Sequence, residues 1–377
     1  MRKVPYGRQS ISMSDFSAVM VGLGSPWLTL GPAVEQFERK ICEETGASGA
    51  VAVSSGSAAL HCAYAAIGLQ PGDEVITTPL TFASTATTAL NLGGVVLFAD
   101  IQPETGNIDP KSVEALISSR TKAIVVVDYA GHPADLDEIM AIGKRWGLPV
   151  IEDAAHSLGS FYKGKPVGSI ADITTFSFFP TKNITTGEGG AVVSRNEEYV
   201  RKARLFRSHG IVKDRSLLQN SGEGAWFQEV QSLGLNYRMP DLLARLGSNQ
   251  LGRIGSFKSK RSHIFNKYKQ YLAANPRVIL PFRKPESDPM WHLFPIRVES
   301  QERRRIFDSL TDSGYLVQVN YVPVNSHPYF KHLGFDKDAT PEAWRFYEGE
   351  ISLPIFPRLS NQSVRSISSL LTDLTGS

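Results

Sequence analysis

Residues 123–127, Ala-Ile-Val-Val-Val, constrain the fold of this chain more than any other feature of its sequence. A strand that is apolar at every position is buried on both faces, which is typical of a mainly parallel sheet covered by helices. Strand-like and helical segments alternate around it, with strands predicted at 51–53, 74–78, 95–100 and 148–153 and helices at 57–68, 82–92, from Asp109 and from about Asp135. This alternation predicts an α/β fold with helices on both sides of the sheet.

The length of 377 residues predicts two lobes, because single hydrophobic cores stop growing at roughly 250 to 300 residues. The first thirty residues are expected to be loop-like, followed by a helix at 32–45. The composition changes near 241–269, where apolar residues recur at helical spacing. Beyond it, strand-like 293–298, helical 301–312, strand-like 316–321 and a final helix from about Asn361 follow one another. We therefore predict a large α/β domain with an N-terminal arm at 1–245 and a smaller C-terminal α+β domain at 246–377.

Charge and cysteine usage narrow the class of function. The net charge is only +3, from 40 basic and 37 acidic residues, which argues against nucleic acid and anionic membranes as partners. Cys42 and Cys62 lie in helical segments without the spacing of a disulfide framework or a zinc site, so no metal is expected. No signal-peptide pattern and no membrane-spanning apolar run are visible. A cytoplasmic protein that acts on small molecules is the expectation.

Two nucleotide-binding motifs can be set aside. No G-x-G-x-x-G follows the first strand, so a nicotinamide-dependent dehydrogenase lacks its usual support. Residues 159–166 nearly form a P-loop, but Pro166 stands where the magnesium-binding Ser or Thr belongs, and no helical pattern begins there.

Lys182 is the most informative polar residue, because it lies in a loop between the strand-like segment 172–178 and a glycine cluster at 187–190. Pyridoxal phosphate (PLP) needs a lysine to form an imine, an acid at the pyridine nitrogen, a flat group against the ring and amide donors around its phosphate. Asp153 ends a buried strand, where a carboxylate is costly unless it is paired with a cation such as a protonated ring nitrogen.

The other requirements of PLP also have candidates. Gly56 and Ser57 begin a helix, with Ser57 as its expected cap, and a helix N-terminus suits a phosphate. Phe82 could lie on the ring, His156 could donate to the phenolic oxygen, and Ser177 could reach the phosphate. Each residue also has an ordinary explanation: a solvated lysine, a salt bridge, a helix cap, core packing or a satisfied loop amide. Their joint occurrence in this order favours the cofactor.

Five motifs carry a resemblance to a known family. They are residues 55–60 (SGSAAL), 79–82 (PLTF), 152–159 (EDAAHSLG), 177–182 (SFFPTK) and 187–190 (GEGG), flanked by 27–32 (WLTLGP), 206–210 (FRSHG), 235–238 (LNYR) and 351–354 (ISLP). Together they resemble the DegT-type sugar aminotransferases over nearly the whole chain. The resemblance implies fold-type I, PLP as the cofactor, and a homodimer with active sites at the subunit interface.

The resemblance also implies roles for individual residues. Lys182 would be the Schiff-base residue, Asp153 would bind the pyridine nitrogen, His156 the phenolic oxygen, and Phe82 would stack on the ring. Three residues would bind the phosphate, and a fourth would reach it from the neighbouring subunit: Gly56, Ser57 and Ser177, and then Asn236. Tyr6 and Tyr321 are expected to contact the substrate.

Within the family, residues 128–131, 206–210 and 318–321 look most like the enzymes of pseudaminic acid synthesis. Those enzymes aminate C4 of a UDP-linked 4-keto-6-deoxy-N-acetylhexosamine, and L-glutamate is the expected amino donor. GDP- or dTDP-linked keto sugars and amination at C3 stay open. So do a pyridoxamine-dependent dehydratase, against which Lys182 counts, and a non-catalytic regulator. This chain departs from the common family pattern at Thr87, Phe179, Asn320 and Asn325.

Overall fold

The computed structural model of the chain describes residues 3–220 and 222–376. From residue 32 to residue 153, helices and strands alternate in the way the sequence predicts. The elements in chain order are α1 (Met13–Leu23), α2 (Pro32–Thr45), β1 (Gly49–Val53), α3 (Gly56–Ala66), β2 (Glu74–Thr77), α4 (Ser84–Asn91), β3 (Val95–Phe98), α5 (Pro110–Ala115), β4 (Thr121–Val127), α6 (Leu136–Trp146), β5 (Val150–Asp153), β6 (Phe161–Tyr162), β7 (Lys165–Pro166), β8 (Ile173–Ser177), β9 (Gly190–Ser194), α7 (Glu197–Arg207), β10 (Ile211–Val212), β11 (Glu229–Val230) and α8 (Asp241–Leu251).

A seven-stranded sheet forms the centre of this part, with the strand order β1-β9-β8-β5-β4-β2-β3. Strands β8, β5, β4, β2 and β3 pair in parallel, and β9 is antiparallel to both of its neighbours, β1 and β8. Parallel strands need a crossover connection, whereas a short loop can only join antiparallel ones. The loop of residues 178–189 between β8 and β9 is such a connection, and it carries Lys182.

Alternate residues of β4 enter different hydrophobic cores, which confirms that both faces of the sheet are covered. Val125 packs in a core with α3, α4 and α7. Ile124 and Val126 pack on the other face in a core with α6. A third cluster joins α2 to β1, β8 and β9 and includes Phe37 and Phe178. The continuous apolar pattern of this strand therefore reflects helices on two sides.

Local capping explains where several helices begin. Asp109 caps α5 by accepting a hydrogen bond from the Lys111 amide at 3.0 Å, as its Asp-Pro sequence predicts. The expected cap of α3 was wrong: Ser55, not Ser57, is the N-cap, and its Oγ accepts from the Ala58 amide at 3.1 Å. Ser55 has the extended backbone that an N-cap requires, whereas Ser57 already lies in the first turn.

The C-terminal part contains α9 (Ile254–Leu272), β12 (Ser287–Asp288), β13 (Phe294–Arg297), α10 (Ser300–Asp312), α11 (Pro328–His332), α12 (Pro341–Gly349), β14 (Glu350–Leu353) and α13 (Asn361–Thr375). Antiparallel β13 and β14 pack with α9, α10 and α13 in a core of their own. The predicted domain boundary at residue 245 falls within α8, and Leu251, Ile254 and Phe257 join the core that contains α2. The division 1–245 and 246–377 stays a prediction.

Two predictions of local structure were wrong. The first thirty residues are not a loop throughout, because α1 forms there with a capping box between Ser12 and Asp15. Residues 316–321 form no strand; Gln318 makes one isolated bridge to Ser352 at the edge of β14. The sequence gives little sign of α1 because its apolar residues, including Met13, Phe16 and Met20, are exposed. Residues 316–321 alternate apolar and polar side chains as a strand would, but the bridge at Gln318 does not extend into a ladder.

Of the helices within residues 3–220 and 222–376, none combines the length and the apolar character needed to cross a bilayer.

Phe37 of α2 gives a test of how the helix layer holds the lysine loop. Its fully buried ring lies 5.3 Å from the ring of Phe178, the first residue after β8. We expect Phe37→Ala to lower the free energy of unfolding by about 3–5 kcal/mol, because it leaves a cavity between α2 and the loop. Urea denaturation followed by tryptophan fluorescence measures the change.

Tyr329→Ala is the control for this test, because 58% of the Tyr329 side chain is exposed on α11. Its expected effect is below about 1 kcal/mol. Equal destabilisation by the two variants would contradict the assigned role of Phe37.

Candidate active site

The carboxyl ends of β4, β5 and β8 and the N-terminus of α3 border a cavity of about 440 Å³. Small-molecule sites span roughly 300–1,000 Å³, and in open α/β sheets they lie beyond the carboxyl ends of the strands. Nine of the residues predicted from the sequence line it: Tyr6, Gly56, Ser57, Phe82, Asp153, His156, Ser177, Lys182 and Tyr321. The fold thus brings together residues that are up to 315 positions apart in the chain.

Lys182 lies in the loop between β8 and β9. The Lys182 amide donates a hydrogen bond to the carbonyl oxygen of Phe179 at 2.9 Å, which fixes the start of this loop. Burial disfavours the charged ammonium and lowers the pKa of Lys182 to about 8, while the negative charge of Asp153 opposes this shift. The next residue, Asn183, donates through Nδ2 to the carbonyl oxygens of His156 at 2.7 Å and Leu158 at 3.1 Å. The lysine loop is therefore tied to the turn that carries His156.

Asp153 is the last residue of β5 and is almost completely buried. Its Oδ2 accepts from Thr85 Oγ1 at 2.7 Å, and its Oδ1 accepts from the Ala155 amide at 3.2 Å. Burial raises the pKa of Asp153, and the hydrogen bonds from Thr85 and Ala155 and the charge of Lys182 partly oppose this. A carboxylate held this way is ready to accept a further hydrogen bond from a cation in the cavity.

The N-terminus of α3 approaches the end of β8 very closely. A Cβ on Gly56 would lie 2.8 Å from the Cβ of Ser177, so only glycine permits this approach. Because Ser55 caps the helix, the hydroxyl of Ser57 is not needed as a cap. Within the described part of the chain, the hydroxyls of Ser57 and Ser177 make no hydrogen bond to protein. Two free hydroxyls beside a helix N-terminus form a cradle suited to a phosphate.

Aromatic side chains line the side of the cavity opposite the sheet. Phe82 is 61% exposed, which leaves its ring available to a flat ligand, and its centroid lies 6.3 Å from that of Tyr321. The hydroxyl of Tyr321 lies 3.1 Å from Nε2 of His156. His156 also stacks on His292 at 4.4 Å, and its buried Nδ1 has no partner among the described residues. Burial lowers the pKa of both histidines well below the usual value, so they are neutral at pH 7.

A second group of residues closes the far end of the cavity. Asn320 Nδ2 donates to the hydroxyl of Tyr6 at 2.7 Å, and the Tyr129 hydroxyl donates to the carbonyl oxygen of Asn320. The Asn320 amide donates to Glu350 Oε2 at 2.8 Å. The segment that contains Asn320 and Tyr321 is thus held in place by three elements of the fold, although it is not a strand.

One predicted residue does not reach this cavity. Asn236 is exposed, forms an isolated bridge to Ser208 and is not among the residues that line the cavity. Its predicted position in the site of a neighbouring subunit stays a prediction.

The residues present fit PLP. The cavity offers an amine whose pKa burial lowers to about 8, a buried carboxylate, an exposed aromatic face and a cradle of free hydroxyls, which match the four requirements of that cofactor. Lys182, Asp153, Phe82 and Ser57 would supply them.

The sequence reasoning missed several residues of the site, among them His292, Thr81 and Thr85. His292 lies just before β13 and comes from the C-terminal part, and no local pattern connects it to the cavity. Thr81 lines the cavity and Thr85 contacts Asp153. Their positions near Phe82 were visible in the sequence, but a threonine carries no functional signal of its own.

The lowered pKa of Lys182 can be measured in the cofactor-free protein by competitive acetylation with peptide-resolved mass spectrometry. Only the neutral amine reacts, so burial should place half-maximal labelling of Lys182 near pH 8, where a lysine in water with pKa ~10.4 is almost fully protonated. Lys163 is the internal control, because Asp137 raises its pKa and its labelling should begin only at higher pH. Equal midpoints for the two lysines would contradict the assigned environment of Lys182.

Comparison with known proteins agrees with this geometry. The family model described as the DegT/DnrJ/EryC1/StrS aminotransferase family matches residues 9–372. The chain is 39% identical to the spore coat polysaccharide biosynthesis protein SpsC of Bacillus subtilis, over 98% of this chain and 97% of that protein. It is also 39% identical to the UDP-4-amino-4,6-dideoxy-N-acetyl-beta-L-altrosamine transaminase of Campylobacter jejuni, over 98% of this chain and 96% of that one.

Among solved structures, the fold superposes on Helicobacter pylori PseC, an aminotransferase involved in the biosynthesis of pseudaminic acid, with a TM-score of 0.93. The two chains are 34% identical, and the match covers 99% of each. The architecture is that of the fold-type I transferases, as the sequence predicts. PLP dependence is a property of the matched family, and the cavity fits PLP. The chain therefore belongs to the DegT/DnrJ/EryC1/StrS aminotransferase family and is a PLP-dependent aminotransferase.

Proposed function

We propose that this enzyme transfers the amino group of L-glutamate to the C4 ketone of a UDP-linked 4-keto-6-deoxy-N-acetylhexosamine, in the synthesis of a bacterial surface glycan precursor. The observation that carries the proposal is the placement of Lys182 and Asp153 in one cavity whose far end is closed by Tyr6, Asn320 and Tyr321. The relatives from Campylobacter and Helicobacter, named for an aminosugar transaminase and for pseudaminic acid synthesis, support this choice of substrate.

The roles of the residues follow from their surroundings. PLP, when bound, would supply an electron sink for the electron pair left when the amino-bearing carbon loses its proton. Lys182, whose pKa burial lowers to about 8, would take that proton with its neutral amine and deliver it to the cofactor carbon that receives the amino group. Asp153 would hold the pyridine nitrogen in its protonated form, and Phe82 would orient the ring. Gly56, Ser57 and Ser177 would hold the phosphate, while neutral His156 would contact the phenolic oxygen.

The end of the cavity opposite the sheet suits a sugar. Tyr6, Asn320 and Tyr321 offer neutral hydrogen-bonding groups, and Phe179 adds an exposed aromatic ring. Such a mixture fits hydroxyl and acetamido groups and the apolar face of a sugar ring. The alternatives are GDP- or dTDP-linked keto sugars and amination at C3, because the groups at this end of the cavity do not distinguish one nucleotide from another.

A homodimer with shared sites completes the proposal. Among the residues that line the cavity, Lys182 is the sole lysine or arginine, yet the phosphate, glutamate and nucleotide diphosphate are all anions. A second copy of the chain can supply the missing polar contacts, and we assign Asn236 to the partner's phosphate site. Exposed apolar side chains of α1, including Met13, Phe16 and Met20, offer the surface for such an assembly.

Mass spectrometry of reaction mixtures tests the substrate. The enzyme is incubated with L-glutamate and a panel of UDP-, GDP- and dTDP-linked keto sugars, with Lys182→Ala as the inactive control. We expect amination of the UDP-linked 4-keto-6-deoxy-N-acetylhexosamine, and loss of at least about 10³-fold in rate in the variant, because it lacks the base. Amination of another sugar in the panel would replace the proposed substrate, and no amination at all would favour a regulator or dehydratase.

Subunit complementation tests the shared site. We expect Asn236→Ala to lower PLP affinity about tenfold, because a phosphate contact is lost. Lys182→Ala and Asn236→Ala chains carrying different tags are then co-expressed. Random pairing in a symmetric dimer regenerates one intact site in half of the dimers, so about a quarter of the wild-type activity should return at limiting PLP.

The matched control for complementation pairs Lys182→Ala with Asp153→Asn. Both of these residues belong to the same cavity of one chain, so their mixture should stay inactive. Recovery in this control, or none with Asn236→Ala, would contradict the assignment.

A further inference from the structure

We propose that Thr85 is a positioning residue for the aminotransfer reaction, which acts through Asp153, and that Thr81 fixes the direction of its hydroxyl. The proposal rests on PLP-dependent aminotransfer by this chain and is independent of which sugar is aminated.

Thr85 lies on the first turn of α4 and is fully buried. Its Oγ1 is 2.7 Å from Asp153 Oδ2 on one side and 2.8 Å from Thr81 Oγ1 on the other. Its carbonyl oxygen accepts from the hydroxyl of Tyr64 at 2.7 Å, and its amide donates to the carbonyl oxygen of Phe82 at 3.2 Å. The hydroxyls of Thr81 and Thr85 and the carboxylate of Asp153 therefore form a continuous series of hydrogen bonds that begins at the cavity.

The number of available hydroxyl protons sets the donor and the acceptor in both of these hydrogen bonds. An ionised carboxylate has no proton to give, so the single hydroxyl proton of Thr85 must point at Asp153. Thr85 can then only accept from Thr81, whose hydroxyl must donate to it. Each hydrogen bond in the series polarises the next, so Thr81 strengthens the bond that Thr85 gives to the carboxylate.

This bond selects the charged form of Asp153. Burial raises the pKa of Asp153, and the Thr85 hydroxyl is the largest of the influences that lower it again. The titratable groups that face Asp153 are Lys182 in the lysine loop, Asp128 after β4, Tyr64 on α3 and Tyr321. Of these, Lys182 is the one that favours a charged Asp153.

The same turn also positions the flat side chain of the site. Thr81 and Phe82 lie between β2 and α4, and Thr85 on the first turn of α4 donates its amide to the Phe82 carbonyl oxygen, so the residue that would stack on the PLP ring and the donor to Asp153 are joined by a hydrogen bond. Thr85 thus links the face of the ring to its nitrogen.

The test uses the half-reaction of the holoenzyme with L-glutamate, followed by the absorbance of the bound cofactor, so no sugar is needed. We expect Thr85→Val to lower the maximal rate constant of this half-reaction by about tenfold, with little change in the apparent dissociation constant for L-glutamate, because a hydrogen bond to a charged group is lost. PLP affinity should fall by a similar factor. The acid limb of the pH profile should move to higher pH, because the pKa of Asp153 rises.

Two variants separate positioning from folding. Thr85→Ser keeps the hydroxyl. Its maximal rate constant for the half-reaction should lie within about threefold of the wild-type value, and its acid limb should return to the original pH. Thr88→Val, on the same helix, removes a buried hydroxyl whose one hydrogen-bond partner among residues 3–220 and 222–376 is the Ser84 carbonyl oxygen at 2.7 Å, and it should leave the half-reaction unchanged. Thermal melting shows whether each variant is folded.

A double-mutant cycle tests the role of Thr81. Thr81→Val alone should lower the maximal rate constant of the half-reaction about threefold and move the acid limb to higher pH, because the hydrogen bond from Thr85 to Asp153 is weakened. In the Thr85→Val background it should have no further effect on the acid limb. If Thr85→Val fails to fold, the test rests on the other two variants. Thr81→Val should still move the acid limb to higher pH, and Thr85→Ser should still leave it at its original pH.

The proposal is overturned if a folded Thr85→Val enzyme keeps the wild-type acid limb and PLP affinity. It is also overturned if Thr85→Ser behaves like Thr85→Val, or if the effects of Thr81→Val and Thr85→Val on the acid limb are additive. Absence of amination in the sugar panel would leave these readouts intact, so the two proposals fail separately.

Discussion

The structure depends on one buried carboxylate, Asp153, at the end of a central strand. A charge in such a position needs compensation, and the chain supplies two hydrogen bonds, from Thr85 and the Ala155 amide, and the nearby amine of Lys182. Within the described part of the chain Asp153 forms no ion pair, so its remaining capacity as an acceptor faces the cavity. The same proximity acts on Lys182, whose pKa is lowered by burial and held up by Asp153. Asp153 and Lys182 therefore shift each other's pKa, and a bound cofactor with a protonated ring nitrogen would supply a further positive charge beside Asp153.

The antiparallel strand β9 solves a geometric problem for Lys182. A crossover after β8 would have carried the chain away from the carboxyl edge, whereas the short loop to β9 keeps residues 178–189 beside it. Two features stabilise this loop: the packing of Phe178 against Phe37, and the hydrogen bonds from Asn183 to the turn that follows Asp153. The lysine thus lies on a connection held at both ends, which keeps its amine close to the strand ends.

The C-terminal part contributes the other wall of the site. His292, Asn320 and Tyr321 come from it and meet His156 and Phe82 across the cavity. Buried Arg261 on α9 supports this wall by donating to the carbonyl oxygens of Trp291 and Ile355 at 3.1 Å each. Because its charge lies behind the two histidines, it also contributes to their lowered pKa. Burial is the main cause of the neutral imidazole of His156, and the charges of Lys182 and Arg261 add to it.

Much of this protein could be predicted from its sequence, because the decisive signals are local. The apolar run at 123–127 predicts the buried parallel sheet, the Asp-Pro at 109–110 predicts a helix start, and the lysine and glycine motifs predict the cofactor and the family. What only the tertiary structure decided depends on contacts between distant segments. Ser55 rather than Ser57 became the cap of α3, α1 formed from residues with an exposed apolar face, and 316–321 became an ordered coil held by Tyr129 and Glu350. The partnership of Thr85 with Asp153, 68 residues apart, has no sequence signature, because a hydroxyl gains a role only from the group that the fold places beside it.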